Sequence, residues 1–390
     1  MKKIISLALS LALMVSGTLV FAADNLETNK EEKAEESAKT LKTYTLSLDE
    51  AVKMAFTDNL QLAAVEFKKQ SNEISLKGAK ETKASLKHTT DAAGKLGIGL
   101  TASSQTALVR QGYYVDLFSS QADLAKDELV QVKNKISYDV TEKYYNYKLA
   151  ERLLEVYKNS EELAKANYET IKKQYELGAA AKVDLESAEA GVKQAEASAE
   201  AFARNLELSA ESLAISLNVD YPCNFVLTDG LSFVPFESDL EKDIKQAEEK
   251  RYDIKALKEN ERLSESYYTI VKNTFTDASA DAATAKSTYL QAKYTTENGI
   301  KNIKLGIKNT YNSVLSAAKD IEIAEINVDI CKQKHEAGRL KYEMGMITDS
   351  ELTSLMNDYI TAEVNLEKAK LSYKLATSKY GYEITEGISN

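Results

Sequence analysis

The sequence predicts a mainly α-helical protein built from long antiparallel coiled-coil hairpins, and three observations favour this fold class. Only 2 of the 390 residues are proline and only 15 are glycine, whereas an all-β or α/β protein of this size needs many more turn residues. Apolar residues recur every seven residues over long stretches, and the two halves of the chain resemble each other. The apolar content of 44% is ample for a packed core, so wholesale disorder is not expected.

The first 22 residues have the features of a signal peptide. Lys2 and Lys3 precede an apolar run from Ile4 to Val15, and small residues ending at Ala22 form a cleavage site. The run is shorter than the ~20 apolar residues that span a bilayer. We therefore predict export of the chain. Removal of the two lysines would change the net charge from −10 to −12.

The remaining chain divides near its middle. Both prolines, Pro222 and Pro235, bound a segment rich in β-forming and turn residues, which we interpret as an extended linker. The predicted organisation is a signal peptide over residues 1–22, a charged tether over 23–43, a first repeat over 44–221, the linker over 222–235 and a second repeat over 236–386.

The two repeats align at constant offsets. The segment Tyr175–Gly178 matches Tyr342–Gly345 at an offset of 167, and the match continues in both directions. Leu48–Ala55 resembles Leu240–Ala247 at an offset of 192, so the first repeat holds 25 extra residues. A tandem duplication explains this pattern.

The sequence of each repeat predicts a long helix, a turn at a glycine and a second long helix. After each turn, apolar or small residues keep a seven-residue repeat typical of a coiled-coil seam. Gly178 and Gly345 are expected to end helices in the left-handed conformation, with Asp184 and Asp349 near the start of the returning helices. The seam positions are Leu185, Ala188, Val192, Ala195, Ala199, Phe202, Leu206, Ser209 and Leu213 in the first repeat, and Leu352, Leu355, Tyr359, Ala362, Leu366, Ala369, Tyr373, Ala376 and Tyr380 in the second.

No catalytic constellation is found, so the sequence predicts neither an enzyme nor a bound cofactor. Cys331 and His335 are four residues apart on a predicted helix, but two ligands do not make a metal site, and packing in a seam is the simpler interpretation. An exported chain with two cysteines could form one disulfide, and the spacing does not decide whether Cys223 pairs with Cys331. The net charge of −10 argues against nucleic acid as a partner.

A carboxylate follows each turn glycine at the same distance. Asp184 lies six residues after Gly178, and Glu351 lies six residues after Gly345. Two explanations fit equally well. The carboxylates form an acidic ring if chains assemble around an axis, or each favours the positive N-terminal end of its own helix.

The order and double occurrence of these motifs resemble the TolC-type outer membrane efflux proteins, also called outer membrane factors. The resemblance rests on Leu46–Asn59, on the two Tyr-Glu-Leu/Met-Gly turns and on the Gly-x5-Asp/Glu spacing, and it covers Tyr44 to about Glu386. It implies a homotrimer whose hairpins form a hollow α-helical barrel. It also implies a passive conduit of a tripartite efflux or secretion system, linked by a membrane-fusion-type adaptor to an inner-membrane pump.

The resemblance assigns the hairpin tips to adaptor binding and the acids beside them to a ring at the entrance. Family members often carry a basic residue two positions after the second tip glycine, where this chain has Ile347. The implied tip residues are Leu177, Gly178, Ala179, Tyr342, Met344, Gly345 and Met346, and the implied acidic ring is Asp184 with Glu351.

The chain departs from the family in the segments that would form membrane strands. Apolar residues alternate weakly along Leu96–Phe118, which allows one short β-hairpin there. Asn273–Asn302 has no strand pattern and is predicted to be helix or loop. We therefore expect at most one β-hairpin per chain and a protein that stays outside the hydrocarbon layer. Its location would be the cell envelope, associated with the outer membrane if the source cell has one and extracytoplasmic otherwise. The alternative function is an exported helical scaffold or cell-surface interaction protein that keeps the fold without conducting.

Overall fold

The computed structural model of the chain describes residues 41–95, 103–275 and 279–388. The predicted signal peptide and most of the predicted tether lie outside these residues. The first half contains β1 (Thr43–Leu46), α1 (Leu48–Phe56), α2 (Leu60–Lys95), α3 (Ser104–Gln111), α4 (Tyr113–Glu176), α5 (Lys182–Ser216) and β2 (Asn224–Leu227). The second half contains α6 (Leu240–Lys250), α7 (Tyr252–Thr274), α8 (Ala280–Glu343) and α9 (Asp349–Glu383).

The two long hairpins have matching lengths. Helices α4 and α8 each have 64 residues, and α5 and α9 each have 35. At ~1.5 Å per residue the longer pair extends about 96 Å. All four helices begin and end at positions related by the offset of 167.

The predicted coiled-coil seams are confirmed as the contacts within each hairpin. All nine seam positions of α5 and all nine of α9 are buried or half-buried. Helix α5 packs along α4, and α9 packs along α8. The predicted fold class, long antiparallel helical hairpins in a mainly α-helical chain, is therefore correct.

The six longest helices form a single layer with two edges. In the part of the layer that contains α5 and α9, the order is α5, α4, α9, α8, because α9 packs on α8 with one face and on α4 with another. In the part of the layer that contains α2 and α7, the order is α2, α4, α7, α8. Helices α2 and α5 therefore lie at one edge of the layer, and α8 lies at the other.

Each half has its own hydrophobic core at the junction of its short first helix with its hairpin. In the first half, Ala51 and Ala55 of α1 pack with Tyr144 of α4. In the second half, Ala247 of α6 packs in the cluster that contains Ile307 and Tyr380. These cores fix the base from which each hairpin extends.

A two-stranded parallel sheet covers the first core, and the sequence analysis did not predict it. Strand β1 pairs with β2 in the register Thr43 to Asn224 and Leu46 to Leu227. The hydroxyl of Tyr144 donates to the backbone oxygen of Leu46 at 3.1 Å, which fixes β1 on α4. The strand β2 lies within the segment that was interpreted as an extended linker.

The sequence left open whether Tyr113–Phe118 is one strand of a β-hairpin, and the structure shows that these residues form the first turns of α4. Gly112 ends α3 with a φ of +85° and leads directly into α4. The guanidinium of Arg262 in α7 donates to Asp116 at 2.7 and 3.1 Å, which ties this first turn to the layer. The other half of the suggested β-hairpin, residues 96–102, lies outside the described residues. Within Asn273–Asn302, the described part is helix or irregular, as predicted.

Candidate docking site at the hairpin tips

Both hairpins turn through the same backbone motif. Helix α4 ends at Glu176, and Gly178 follows with a φ of +72°. The N–H of Gly178 donates to the oxygen of Tyr175 at 2.9 Å, and the N–H of Ala179 donates to the oxygen of Gln174 at 2.7 Å. This pair of bonds is the Schellman motif, which satisfies carbonyls that a helix end leaves without partners.

The second tip repeats these bonds. Gly345 has a φ of +69°. Its N–H donates to the oxygen of Tyr342 at 2.9 Å, and the N–H of Met346 donates to the oxygen of Lys341 at 2.8 Å. A Cβ atom added at Gly178 or Gly345 would meet nothing within 4 Å. The glycines are therefore needed for the left-handed conformation and not for close packing.

Apolar side chains extend from both tips into solvent. At the first tip Leu177 is 83% exposed, and at the second Met344 is 62% and Met346 68% exposed. Val183 and Leu340 are also exposed beside them. Large exposed apolar side chains that cluster at a protruding turn are typical of an interaction surface.

The two acids beside the tips act as caps of the returning helices. One carboxylate oxygen of Glu351 accepts from the N–H of Thr348 at 2.7 Å and from its hydroxyl at 2.9 Å. The Thr348 hydroxyl in turn accepts from the N–H of Glu351 at 3.3 Å, which completes a capping box. At the first tip Asp184 accepts from the N–H of Ala181 at 2.9 Å, but an alanine side chain has no acceptor to complete the box.

This geometry bears on the two explanations for the tip acids. Both carboxylates hold the N-terminus of their own helix, so the local explanation accounts for their matched positions. The hydrogen bonds from the backbone and hydroxyl of Thr348 lower the pKa of Glu351, which keeps this carboxylate ionised. Both side chains are exposed, so the same charges remain available to a ring of assembled chains.

The Cys331 and His335 pair lies on the side of α8 that faces α9. The His335 ring stacks on Tyr359 with ring centroids 6.2 Å apart, and Cys331 lines an open groove of about 460 Å³ between the two helices. Cys223 directly precedes β2 and is buried in the first core, and both cysteines are free. In the ranges that the structure describes, no group of three or more His, Cys, Asp or Glu side chains could hold a metal ion.

None of the helices in the described ranges combines the length and the apolar content needed to cross a membrane.

Comparison with known proteins places the fold. No family model and no curated protein matches the sequence. A membrane protein from Pseudomonas aeruginosa superimposes with a TM-score of 0.69 and 13% identity over 95% of this chain and 97% of that chain. The Campylobacter jejuni CmeC outer membrane channel gives 0.69 and 12% over 94% and 95%. The open state of the Neisseria gonorrhoeae MtrE outer membrane channel gives 0.63 and 12% over 88% and 91%.

CmeC and MtrE are TolC-family channels. At these identities the likeness concerns the fold, and the chain therefore has the TolC-like helical fold that its motifs predicted.

Proposed function

We propose that this chain is the duct component of an efflux or secretion assembly in the cell envelope. Copies of the chain join edge to edge into a closed ring of helices, and the hairpin tips of the ring bind an adaptor protein. The conduit is passive. The energy for transport comes from an inner-membrane pump that the adaptor connects to the duct. The observation that carries this proposal is the pair of apolar edges on the helical layer.

The edge formed by α8 has an apolar stripe whose side chains are 39% to 60% exposed in the described chain. Eight large apolar side chains of α8 are exposed. At 100° per residue, seven of them fall within about a quarter of the helix circumference. The stripe extends about 60 Å. Its members are Leu290, Tyr294, Leu305, Leu315, Ile323, Ile326 and Ile330.

The opposite edge has exposed apolar residues at seven-residue spacing. On α2 they are Leu60, Phe67 and Ile74, and on α5 they are Leu208 and Ile215. Seven-residue spacing is the pattern with which a helix packs along another helix. Since the two apolar edges differ, two copies would associate head to tail, and such contacts close into rings when the rotation between copies allows it.

The contact between α4 and α9 indicates how two copies would meet. Val156 of α4 is only 7% exposed, because it packs against Ile360 and Val364 of α9. The residue 167 positions later, Ile323 of α8, is 57% exposed. By the same offset, α5 corresponds to α9. The α4–α9 contact within one chain would therefore recur between α8 of one copy and α5 of the next.

The contact between α4 and α7 corresponds in the same way to a contact between α8 and α2. Within the chain this contact combines an aromatic pair, Tyr113 with Tyr267, and charged pairs such as Lys255 with Asp127 at 2.7 Å. At the offset of 192, Lys255 corresponds to Ala63 on α2, and at 167 Asp127 corresponds to Tyr294 on α8. Glu259 likewise corresponds to the exposed Phe67. The contact between copies would thus be apolar where the internal one is charged, which favours association in water.

The resemblance to TolC-type channels supports three copies, each contributing two hairpins to a hollow cylinder. All tips would then lie in one circle at one end. The exposed Leu177, Met344 and Met346 would present a ring of apolar contacts there, with the Asp184 and Glu351 carboxylates beside it. This arrangement suits an adaptor whose own end combines apolar and basic side chains.

Tip substitutions test the adaptor interaction. The double variant Leu177→Asp/Met344→Asp places charges on exposed side chains, so the hairpins should fold normally. We expect it to lose binding to a membrane-fusion-type adaptor from the source cell in a pull-down, and to lose export in cells. The matched control is Val234→Asp, since Val234 is 67% exposed but lies in the linker. Retained binding and export in the folded double variant would contradict the docking role.

An exported scaffold that does not conduct remains the competing function. Electron microscopy of the purified mature protein separates the two. A duct predicts rings with an open axis, whereas a scaffold predicts monomers or bundles without a central opening.

A further inference from the structure

Among the residues that the structure describes, the exposed methionines are concentrated at one tip. Four methionines lie in the described residues, and two of them, Met54 and Met356, are half-buried against hydrophobic clusters. Met344 and Met346 are 62% and 68% exposed. Both flank Gly345 in the turn of the second hairpin, so two accessible thioethers lie at the proposed docking surface with one residue between them.

The first tip lacks these thioethers. At the offset of 167, Leu177 occupies the position of Met344, and Ala179 occupies that of Met346. The backbone turns are the same, with matching Schellman bonds and φ values of +72° and +69°. The two tips therefore present similar shapes but differ in their chemistry toward oxidants.

We propose that Met344 and Met346 form an oxidation-sensitive site through which peroxide weakens adaptor binding at the second tip. This inference rests on the proposed function of the tips. Hydrogen peroxide transfers one oxygen atom to the Sδ atom of each methionine, the sulfur is oxidised to a sulfoxide, and the peroxide is reduced to water. The apolar thioether becomes a polar group that accepts hydrogen bonds.

The fold would tolerate this change. The Schellman bonds of the second tip use only backbone atoms, from the N–H groups of Gly345 and Met346 to the oxygens of Tyr342 and Lys341. Neither sulfur is in a core. Oxidation would alter the docking surface without unfolding the hairpin, and reduction by methionine sulfoxide reductases would restore it.

The experiment treats the full mature protein with hydrogen peroxide and follows oxidation by peptide mass mapping. Met344 and Met346 should oxidise before Met54 and Met356, with unchanged helix content by circular dichroism. Adaptor affinity should fall on the order of tenfold, since polar sulfoxides would be buried without partners. Sulfoxide reductase should return the affinity.

The variant Met344→Leu/Met346→Leu keeps apolar side chains at both positions but cannot be oxidised there. It should bind the adaptor normally and keep its affinity after peroxide treatment. Equal oxidation rates of all four methionines, or unchanged affinity of the fully oxidised wild type, would overturn the inference. Failure of the untreated wild type to bind the adaptor would instead contradict the proposed function, so the two failures are distinguishable.

Discussion

Helices α4 and α8 have the same length and the same turn at their ends, but their outer faces differ in one respect. The outer face of α4 is covered by α9 and α7 of the same chain, whereas the corresponding face of α8 is exposed. Val156 is 7% exposed on α4, and its counterpart Ile323 is 57% exposed on α8. The difference indicates that one chain is an incomplete layer, with an apolar edge that a second copy would cover.

The expected contact between α8 and α2 of two copies also differs in charge from the corresponding contact between α4 and α7 within one chain. Within the chain, α7 reaches α4 through ion pairs such as Arg262 with Asp116, at 2.7 Å. Their side chains are nearly half exposed, and pairs of this kind contribute at most ~1 kcal/mol. The apolar residues that α2 and α8 carry along the corresponding contact, such as Phe67 and Tyr294, would contribute more, because burial removes them from water. The internal contact can rely on chain connectivity, and a contact between copies cannot.

Charges on the α8 stripe should have the largest effect. The double variant Ile323→Glu/Ile326→Glu would bury two unpaired carboxylates in the contact between copies, which costs several kcal/mol. We expect the assembled protein to become monomeric in light scattering coupled to size-exclusion chromatography. Helix content should not change, because both side chains are exposed in the single chain.

The matched control for this variant is Asp329→Ala on the same helix. Asp329 is exposed but lies away from the stripe, so its loss should leave assembly unchanged. Equal oligomer masses for the double variant and the wild type would contradict the edge interpretation.

Replacement of the tip glycines should have the next largest effect, and the two tips should respond alike. Gly178→Ala and Gly345→Ala each force a Cβ atom into the left-handed region, which costs ~1–2 kcal/mol. The expected result is a lower urea midpoint for each variant. Gly191→Ala in α5 is the control, since its added Cβ meets nothing within 4 Å, and it should stabilise the helix by up to ~1 kcal/mol.

The caps of the returning helices should distinguish the two tips. Thr348→Ala removes one half of the capping box and should lower the free energy of unfolding by ~1 kcal/mol. Ala181→Thr adds the hydroxyl that the first tip lacks and should raise it by a smaller amount. In urea denaturation, the change in the free energy of unfolding should therefore have opposite signs in the two variants. A loss of stability in both variants would show that the two caps are not equivalent.

The pH dependence of the second cap should be the smallest effect. Hydrogen bonds from Thr348 lower the pKa of Glu351 in the folded chain. The contribution of Glu351 is therefore complete above its unfolded pKa of ~4.3 and is lost as the pH falls through the lower folded value. The stability difference between wild type and Glu351→Gln, measured by urea denaturation, should shrink on acidification. A difference that grows toward low pH would contradict this role.

The hairpins and tips could be predicted because their signals are local and periodic. The seven-residue seams of α5 and α9 and the turn glycines Gly178 and Gly345 each leave a pattern that one segment reveals. The apolar edges were missed although Leu60, Phe67 and Ile74 also keep a seven-residue spacing. Their role depends on which helices lie at the ends of the layer, and that order is a property of the tertiary structure.

Two local features could not be read from the sequence for physical reasons. Tyr113–Phe118 has the β-branched and aromatic composition of a strand, but its helical form is fixed by distant contacts such as Asp116 with Arg262. Strands β1 and β2 have four residues each, and they pair across the whole first half of the molecule. Such short strands have too few residues to establish a period.

The most direct test of the edge contact is a designed disulfide between two copies. The side chains of Lys374 in α9 and Tyr145 in α4 face each other, with the Lys374 Nζ 5.6 Å from the centroid of the Tyr145 ring. The corresponding positions are Glu207 on α5 and Asn312 on α8. Both are exposed and lie on opposite edges of one chain. In a Cys331→Ser background, Glu207→Cys/Asn312→Cys should form covalent oligomers under mild oxidation, ending at the size of the closed ring, whereas either single cysteine should not. Only monomers on a non-reducing gel, from protein that is assembled before oxidation, would contradict the claim that these edges meet.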